Sequence, residues 1–206
     1  MTDETAIRFR SGDIELDGRA TAAAGAGRGC VVCHPHPLYG GDMHNPVVVA
    51  ISRALARDGV ATLRFDFRGV GASGGVHGGG EPEIDDAGAA VDKLASLTGL
   101  PRIVLCGYSF GAWIALQLAA ADARVAAVAA VAPPIAMPGV ALAHTMNAPL
   151  LVIAGDRDTY CPARDAESLV AGRDRSKAMI LRGADHFLAG REDEVGRMVA
   201  GFVAGI

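Results

Sequence analysis

Aromatic side chains are scarce in this chain: one Trp, three Tyr and six Phe among 206 residues. Half of the residues are nonetheless hydrophobic, so a core has to be packed mainly from Ala, Val and Leu. No apolar run reaches the roughly 20 residues that a membrane-spanning helix needs. The longest weakly polar stretch, Val125 to Met137, contains Pro133 and Pro134 and reads as a buried strand with its loop. There is no basic block, and the net charge is −4, which argues against nucleic acid as the main partner. Met1 to Arg10 carries Asp3, Glu4, Arg8 and Arg10 and lacks the apolar centre of a signal peptide. Only four cysteines occur. Cys30 and Cys33 have the spacing of a dithiol, but Val31 and Val32 put both on a strand. Residues three apart on a strand face opposite sides, so buried, reduced thiols are expected. These absences predict a cytoplasmic protein, one domain over residues 1–206, with monomer or homodimer left open.

What is present is an alternation of strands and helices. Ile7 to Arg10 and Ile14 to Leu16 flank Ser11-Gly12-Asp13 as an opening hairpin. Short apolar strands are predicted at 30–33, 61–67, 103–106, 125–131, 150–154 and 178–181. Helices are predicted at about 45–57, 83–97, 112–121, 162–171 and 192–204. Asn45-Pro46 supplies an N-cap followed by a proline at the first helical position. The alternation implies an α/β fold: a mostly parallel sheet covered on both faces, with an antiparallel N-terminal hairpin.

The richest segment is Gly107-Tyr108-Ser109-Phe110-Gly111, set between an apolar strand and a small-residue helix. A serine hydroxyl is a poor nucleophile until a sharp turn lifts it beside a base and near free N–H groups. Glycines two residues before and two after the serine suit such a crowded turn, where they are expected to face each other. A base and an orienting acid are available in later loops. His186 follows the last strand in Gly183-Ala184-Asp185-His186-Phe187. Asp156 and Asp158 follow the strand before it. All three loops leave the carboxyl edge of a parallel sheet, where ligands bind. The order Ser109, Asp, His186 is that of the α/β-hydrolase architecture. Asp156, next to the strand end, suits backbone binding; Asp158, further out, suits the imidazole and is favoured.

The loop His34-Pro35-His36-Pro37-Leu38-Tyr39-Gly40-Gly41 follows the first buried strand. It is expected to supply a second oxyanion donor beside the Phe110 N–H. Pro35 and Pro37 have no N–H; His36, Leu38 and Tyr39 do. His34, His36, Asp42 and His44 also invite a metal reading. No group elsewhere completes such a site, and it would leave the serine constellation unexplained. Gly69-Val70-Gly71-Ala72-Ser73-Gly74 imitates a dinucleotide loop, but it runs on into Gly75 to Gly80, where no helix can start. Asp66 and Arg68 before it are expected to pair or to pin that loop. His77 and His144 read as solvated or hydrogen-bonded loop residues. Tyr39, Tyr108, Pro134 and Met137 are candidate substrate contacts.

The chain resembles the small bacterial α/β-hydrolases of the serine-esterase, dienelactone-hydrolase-like group. The likeness rests on His34-Pro35 with Gly40 to Asn45, on Arg64 to Ser73, on Gly107 to Ala112, and on Ala184 to Phe187. It implies a Ser109, Asp158, His186 triad, no cofactor, and a second oxyanion donor at His36 or Leu38. Dienelactone hydrolases proper carry cysteine where this chain has Ser109. The expected activity is hydrolysis of a small ester. A peptidase or thioesterase would use the same triad, and a binding protein on this fold would normally lack one member of it. Residues 132–149 are too few for a helical lid, so an open pocket and short acyl chains are expected.

Overall fold

The computed structural model describes residues 4–21, 25–137 and 146–206; His144 lies outside them. The chain opens with the hairpin β1 (Thr5–Ser11) and β2 (Ile14–Thr21). Then follow β3 (Gly29–Cys33), α1 (Pro46–Arg57), β4 (Ala61–Phe65), α2 (Glu81–Thr98), β5 (Ile103–Tyr108) and α3 (Phe110–Ala121). The second half contributes β6 (Val125–Val131), β7 (Leu150–Gly155), α4 (Ala163–Val170), β8 (Lys177–Leu181) and α5 (Glu192–Ala204).

The strands form one eight-stranded sheet in the order β1-β2-β4-β3-β5-β6-β7-β8. Pairing is antiparallel for β1–β2 and β2–β4 and parallel from β4 to β8. From β3 the chain steps to β4 on one side and returns to β5 on the other. The loops after β3 and β5 therefore open beside each other at the carboxyl edge, a topological switch point. This is the α/β-hydrolase architecture. Asn45 caps α1 as its sequence predicts, its side chain accepting the Val47 N–H at 3.0 Å.

Two apolar layers sandwich the sheet. One gathers Val31, Cys33, Leu63, Leu105 and Val128 with residues of α2, α3 and α4. The other gathers Cys30, Val32, Val104, Cys106 and Ile153 with residues of α1 and α5. The strand pleat thus sends Cys30 and Cys33 to opposite faces. All four cysteines are free and buried, and burial pushes their thiols far up. Among the described residues no helix is long and apolar enough to cross a membrane.

The strand predicted to reach residue 67 ends at Phe65. The Asp66 N–H still donates to the Asp17 carbonyl of β2 at 2.9 Å while its carboxylate accepts the Met43 N–H at 2.7 Å; the Phe67 N–H then leaves the ladder and donates to His34 Nε2 at 3.1 Å.

Candidate active site

Ser109 sits at the turn between β5 and α3 with φ 53° and ψ −116°. A non-glycine residue holds such a backbone only when its surroundings enforce it, at a cost of about 1–3 kcal/mol. The Ser109 N–H donates to the Val131 carbonyl at 2.8 Å, and its own carbonyl accepts the Ala112 N–H at 2.9 Å. A Cβ on Gly107 would lie 2.1 Å from the Gly111 carbonyl oxygen. A Cβ on Gly111 would lie 2.4 Å from the Cys33 carbonyl oxygen. The first glycine therefore faces the backbone of the second, as the pentapeptide suggests, while the second lets α3 press against the end of β3.

Ser109 Oγ and His186 Nε2 stand 2.9 Å apart. On the other side of the ring, Nδ1 lies 2.9 Å from Asp158 Oδ2 and 3.1 Å from Oδ1. A carboxylate facing Nδ1 assigns the proton to that nitrogen and leaves the Nε2 lone pair for the serine O–H. Asp158 Oδ1 also accepts the Tyr160 and Cys161 N–H groups at 2.8 and 2.9 Å. These bonds give the buried carboxylate donors in place of water. Asp156 takes the role of a backbone binder: its side chain accepts the Gly183 N–H at 2.7 Å and ties the two loops together.

Tyr108 does not line an opening. It is 4% exposed, and its hydroxyl donates to the His186 carbonyl at 3.0 Å, which holds the histidine loop. Pro134 is likewise buried, so it cannot reach a substrate. Met137 and Tyr39 are exposed, Tyr39 by 85%. Sequence reasoning did not single out Tyr160 or Phe187 as contacts. Their rings flank the His186 ring at centroid distances of 4.7 and 5.9 Å, and both are exposed. A run such as Thr159-Tyr160-Cys161 carries no pattern that reports this; only the fold brings it beside His186.

In the loop after β3, Pro37–Tyr39 form one 3₁₀ turn. Its cap is the His36 side chain, whose Nδ1 accepts the Leu38 N–H at 3.2 Å. Leu38 therefore has no free N–H to offer an oxyanion, which corrects that expectation. Tyr39 N–H is spent on the His36 carbonyl. Among the described residues, the N–H groups of His36 and Phe110 have no internal acceptor. His36 and Phe110 rings pack at 4.9 Å.

His34 is fully buried. Nδ1 donates to the Pro35 carbonyl at 2.6 Å, and Nε2 accepts from Phe67. Both ring nitrogens are committed, and the Asp42 side chain accepts the His44 N–H at 2.8 Å, so these groups shape the loop rather than converge on an ion. Arg64 donates to the Met43 carbonyl at 2.6 Å. Arg68 pairs with Asp86 at 2.6 Å, not with Asp66.

Burial pushes the His34 imidazole from its ordinary 6.5 down to about 4. Below pH 6.5 the unfolded chain protonates this ring; the folded protein does so only near 4. Between those values the unfolded state binds more protons, so stability falls as the pH drops through the window. The loss approaches ~3 kcal/mol by the lower limit. A glutamine keeps a donor and an acceptor without the titration. In urea unfolding at pH 4–6.5, His34→Gln should show a flatter decline than the wild type. Parallel curves would refute this.

Comparisons with known proteins bear on this site. The profile of the dienelactone hydrolase family matches residues 76–195. A curated relative, the uncharacterized protein RP471 of Rickettsia prowazekii (strain Madrid E), is 33% identical over 94% of this chain and 86% of its own. An alpha-beta serine hydrolase homologue from Coxiella burnetii has a similar structure, with TM-score 0.86 and 32% identity over 98% of this chain and 97% of the other. XC6422 from Xanthomonas campestris, an a/b serine hydrolase without lid, gives TM-score 0.84 and 26% identity over 100% and 95%. The protein is an α/β hydrolase. It belongs to the dienelactone hydrolase family.

Proposed function

We propose that the protein hydrolyses short-chain carboxylic esters through an acyl-enzyme on Ser109. The observation that supports this most directly is the continuous Ser109–His186–Asp158 hydrogen-bond chain, with steps of 2.9 Å and 2.9 Å. As Ser109 Oγ attacks the ester carbonyl, His186 Nε2 takes its proton. Asp158 keeps the imidazole in the required tautomer and stabilises its cation. The Phe110 and His36 N–H groups receive the oxyanion; one such donor is typically worth ~10²–10³ in rate. His186 then protonates the leaving alcohol, and the ester C–O bond breaks. Water, deprotonated by the same ring, attacks the acyl-enzyme and releases the acid.

The leaving oxygen has to approach His186 Nε2. Tyr160 and Phe187 therefore wall the alcohol side, while Leu38 and Tyr39 belong to the oxyanion side. The apolar side chains of this rim stand open to solvent. A buried CH₂ contributes about 0.8 kcal/mol, but an acyl tail that extends past an open rim stays in water and gains little. Across p-nitrophenyl acetate, butyrate, octanoate and palmitate below their aggregation limits, kcat/KM should peak at the two short chains. A steady rise toward palmitate would contradict the assignment. Adding a thioester and a peptide amide to the panel separates the esterase reading from its thioesterase and peptidase relatives. The four buried, unpaired thiols support a reducing compartment such as the cytoplasm.

A further inference from the structure

The glycine-rich segment between β4 and α2 has no part in the relay, yet a buried carboxyl group of α2 ties it down. Glu83, in the first turn of α2, is 0% exposed. Its Oε1 accepts the Gly78 N–H and its Oε2 the Gly80 N–H, each at 2.7 Å. His77 Nδ1 lies 2.9 Å from Oε1, close enough for an ion pair though off the line of a hydrogen bond. A carboxylate is costly to bury unless its partners are in place, so this one fixes the end of the loop tightly. Gly80 adds to the constraint. It has φ 122°, and a Cβ there would lie 2.3 Å from the Trp113 ring, which itself packs on Phe110 at 5.8 Å.

The consequence lies in where the His77 ring is put. It stands 5.0 Å from the His36 ring and 5.6 Å from the Phe110 ring. The His36 and Phe110 rings are themselves 4.9 Å apart. The three rings form a closed triangle. Two of its corners belong to the residues whose backbone N–H groups lack an internal acceptor. The third corner is His77, anchored from behind by Glu83.

We propose that His77 and Glu83 are positioning residues that set the separation of the His36 and Phe110 amide donors. The inference rests on the reading of Ser109 as the nucleophile. Oxyanion donors act through preorganised geometry, and a displacement near 1 Å can cost ~10²-fold. A loose triangle lets the β3 loop drift from α3 without disturbing the Ser109–His186–Asp158 chain. The defect therefore falls on the chemical step and not on ground-state binding.

His77→Ala, Glu83→Gln and the double variant should be assayed with p-nitrophenyl acetate beside wild type and Ser109→Ala, all well below their thermal midpoints. His77→Ala is expected to lower kcat by about tenfold or more, with KM within about twofold and the acid limb of the pH profile unmoved. His77→Phe, which keeps the ring contacts, should recover part of the loss. If Glu83 acts through His77, the double variant falls no further than the worse single one. Wild-type kcat in His77→Ala, or a loss confined to KM, overturns the inference. So does a double variant whose losses multiply. Should Glu83→Gln fail to fold, the kcat and KM of His77→Ala and His77→Phe decide alone. An active Ser109→Ala would bring down the nucleophile assignment and this inference with it. An inactive Ser109→Ala beside an unimpaired His77→Ala brings down only the latter.

Discussion

Ser109→Ala should lower kcat for p-nitrophenyl butyrate by about 10⁴–10⁶-fold, which corresponds to a barrier higher by about 5–8 kcal/mol. The substitution removes one oxygen atom. His186, Asp158 and the two free amides stay where they are, so the residual rate reports what binding and the oxyanion donors do alone. Stability should barely change. The strained φ of 53° is imposed by the contacts of Gly107 and Gly111 and by the Ser109 N–H bond to Val131, none of which needs the hydroxyl. Alanine carries the same Cβ and meets the same backbone strain. The experiment is decisive because activity and folding separate: urea unfolding should superimpose while turnover collapses. A fluorophosphonate probe should label the wild type at Ser109 and leave Ser109→Ala unlabelled. Turnover close to wild type, or labelling at another serine, would falsify the assignment of the nucleophile.

The features legible in the sequence are those with short-range causes. Strand, turn and helix around Ser109 follow from an apolar run, two glycines and a small-residue helix. The α1 start follows from Asn45-Pro46. The order of Ser109, Asp158 and His186 follows from which loops leave the carboxyl edge. The preference for Asp158 over Asp156 needed only a distance along the loop, and the two carboxylates divide in that way. The unreadable features have causes that no residue pattern announces, some of them local and some from distant parts of the chain. Leu38 looks like a free donor until the His36 ring folds back onto it. Tyr108 looks like a pocket residue because it adjoins Ser109, but the β8 loop closes over it. Arg68 stands two residues from Asp66, yet its partner Asp86 comes from α2. The Gly80–Glu83 cap escapes notice because the usual capping pattern begins with a hydroxyl side chain. His77 then looks like one more polar loop residue.

Gly111→Ala should be destabilising by about 1–3 kcal/mol or more, although alanine is intrinsically the better helix former by about 1 kcal/mol. Gly111 lies in the first turn of α3, and its backbone is compatible with any residue, since it does not fall in the positive-φ region. Space alone decides. An added Cβ would sit 2.4 Å from the Cys33 carbonyl oxygen and 2.6 Å from that of His34. Both are backbone atoms at the end of β3, buried and unable to swing aside, so α3 and the β3 loop have to separate. That separation also parts the Phe110 and His36 N–H groups, so kcat should drop by about 10²-fold with the relay residues intact. Gly201 provides the opposite case within the same molecule. It lies exposed in α5, and a Cβ there meets nothing within 4 Å. Gly201→Ala should therefore stabilise by up to about 1 kcal/mol, with activity unchanged. The pair is compared by urea unfolding and by turnover of p-nitrophenyl acetate. Opposite signs of the stability change would trace the close approach of α3 to β3. Two stabilised variants of equal activity would mean that the contact between Gly111 and the end of β3 is not what holds the donors together.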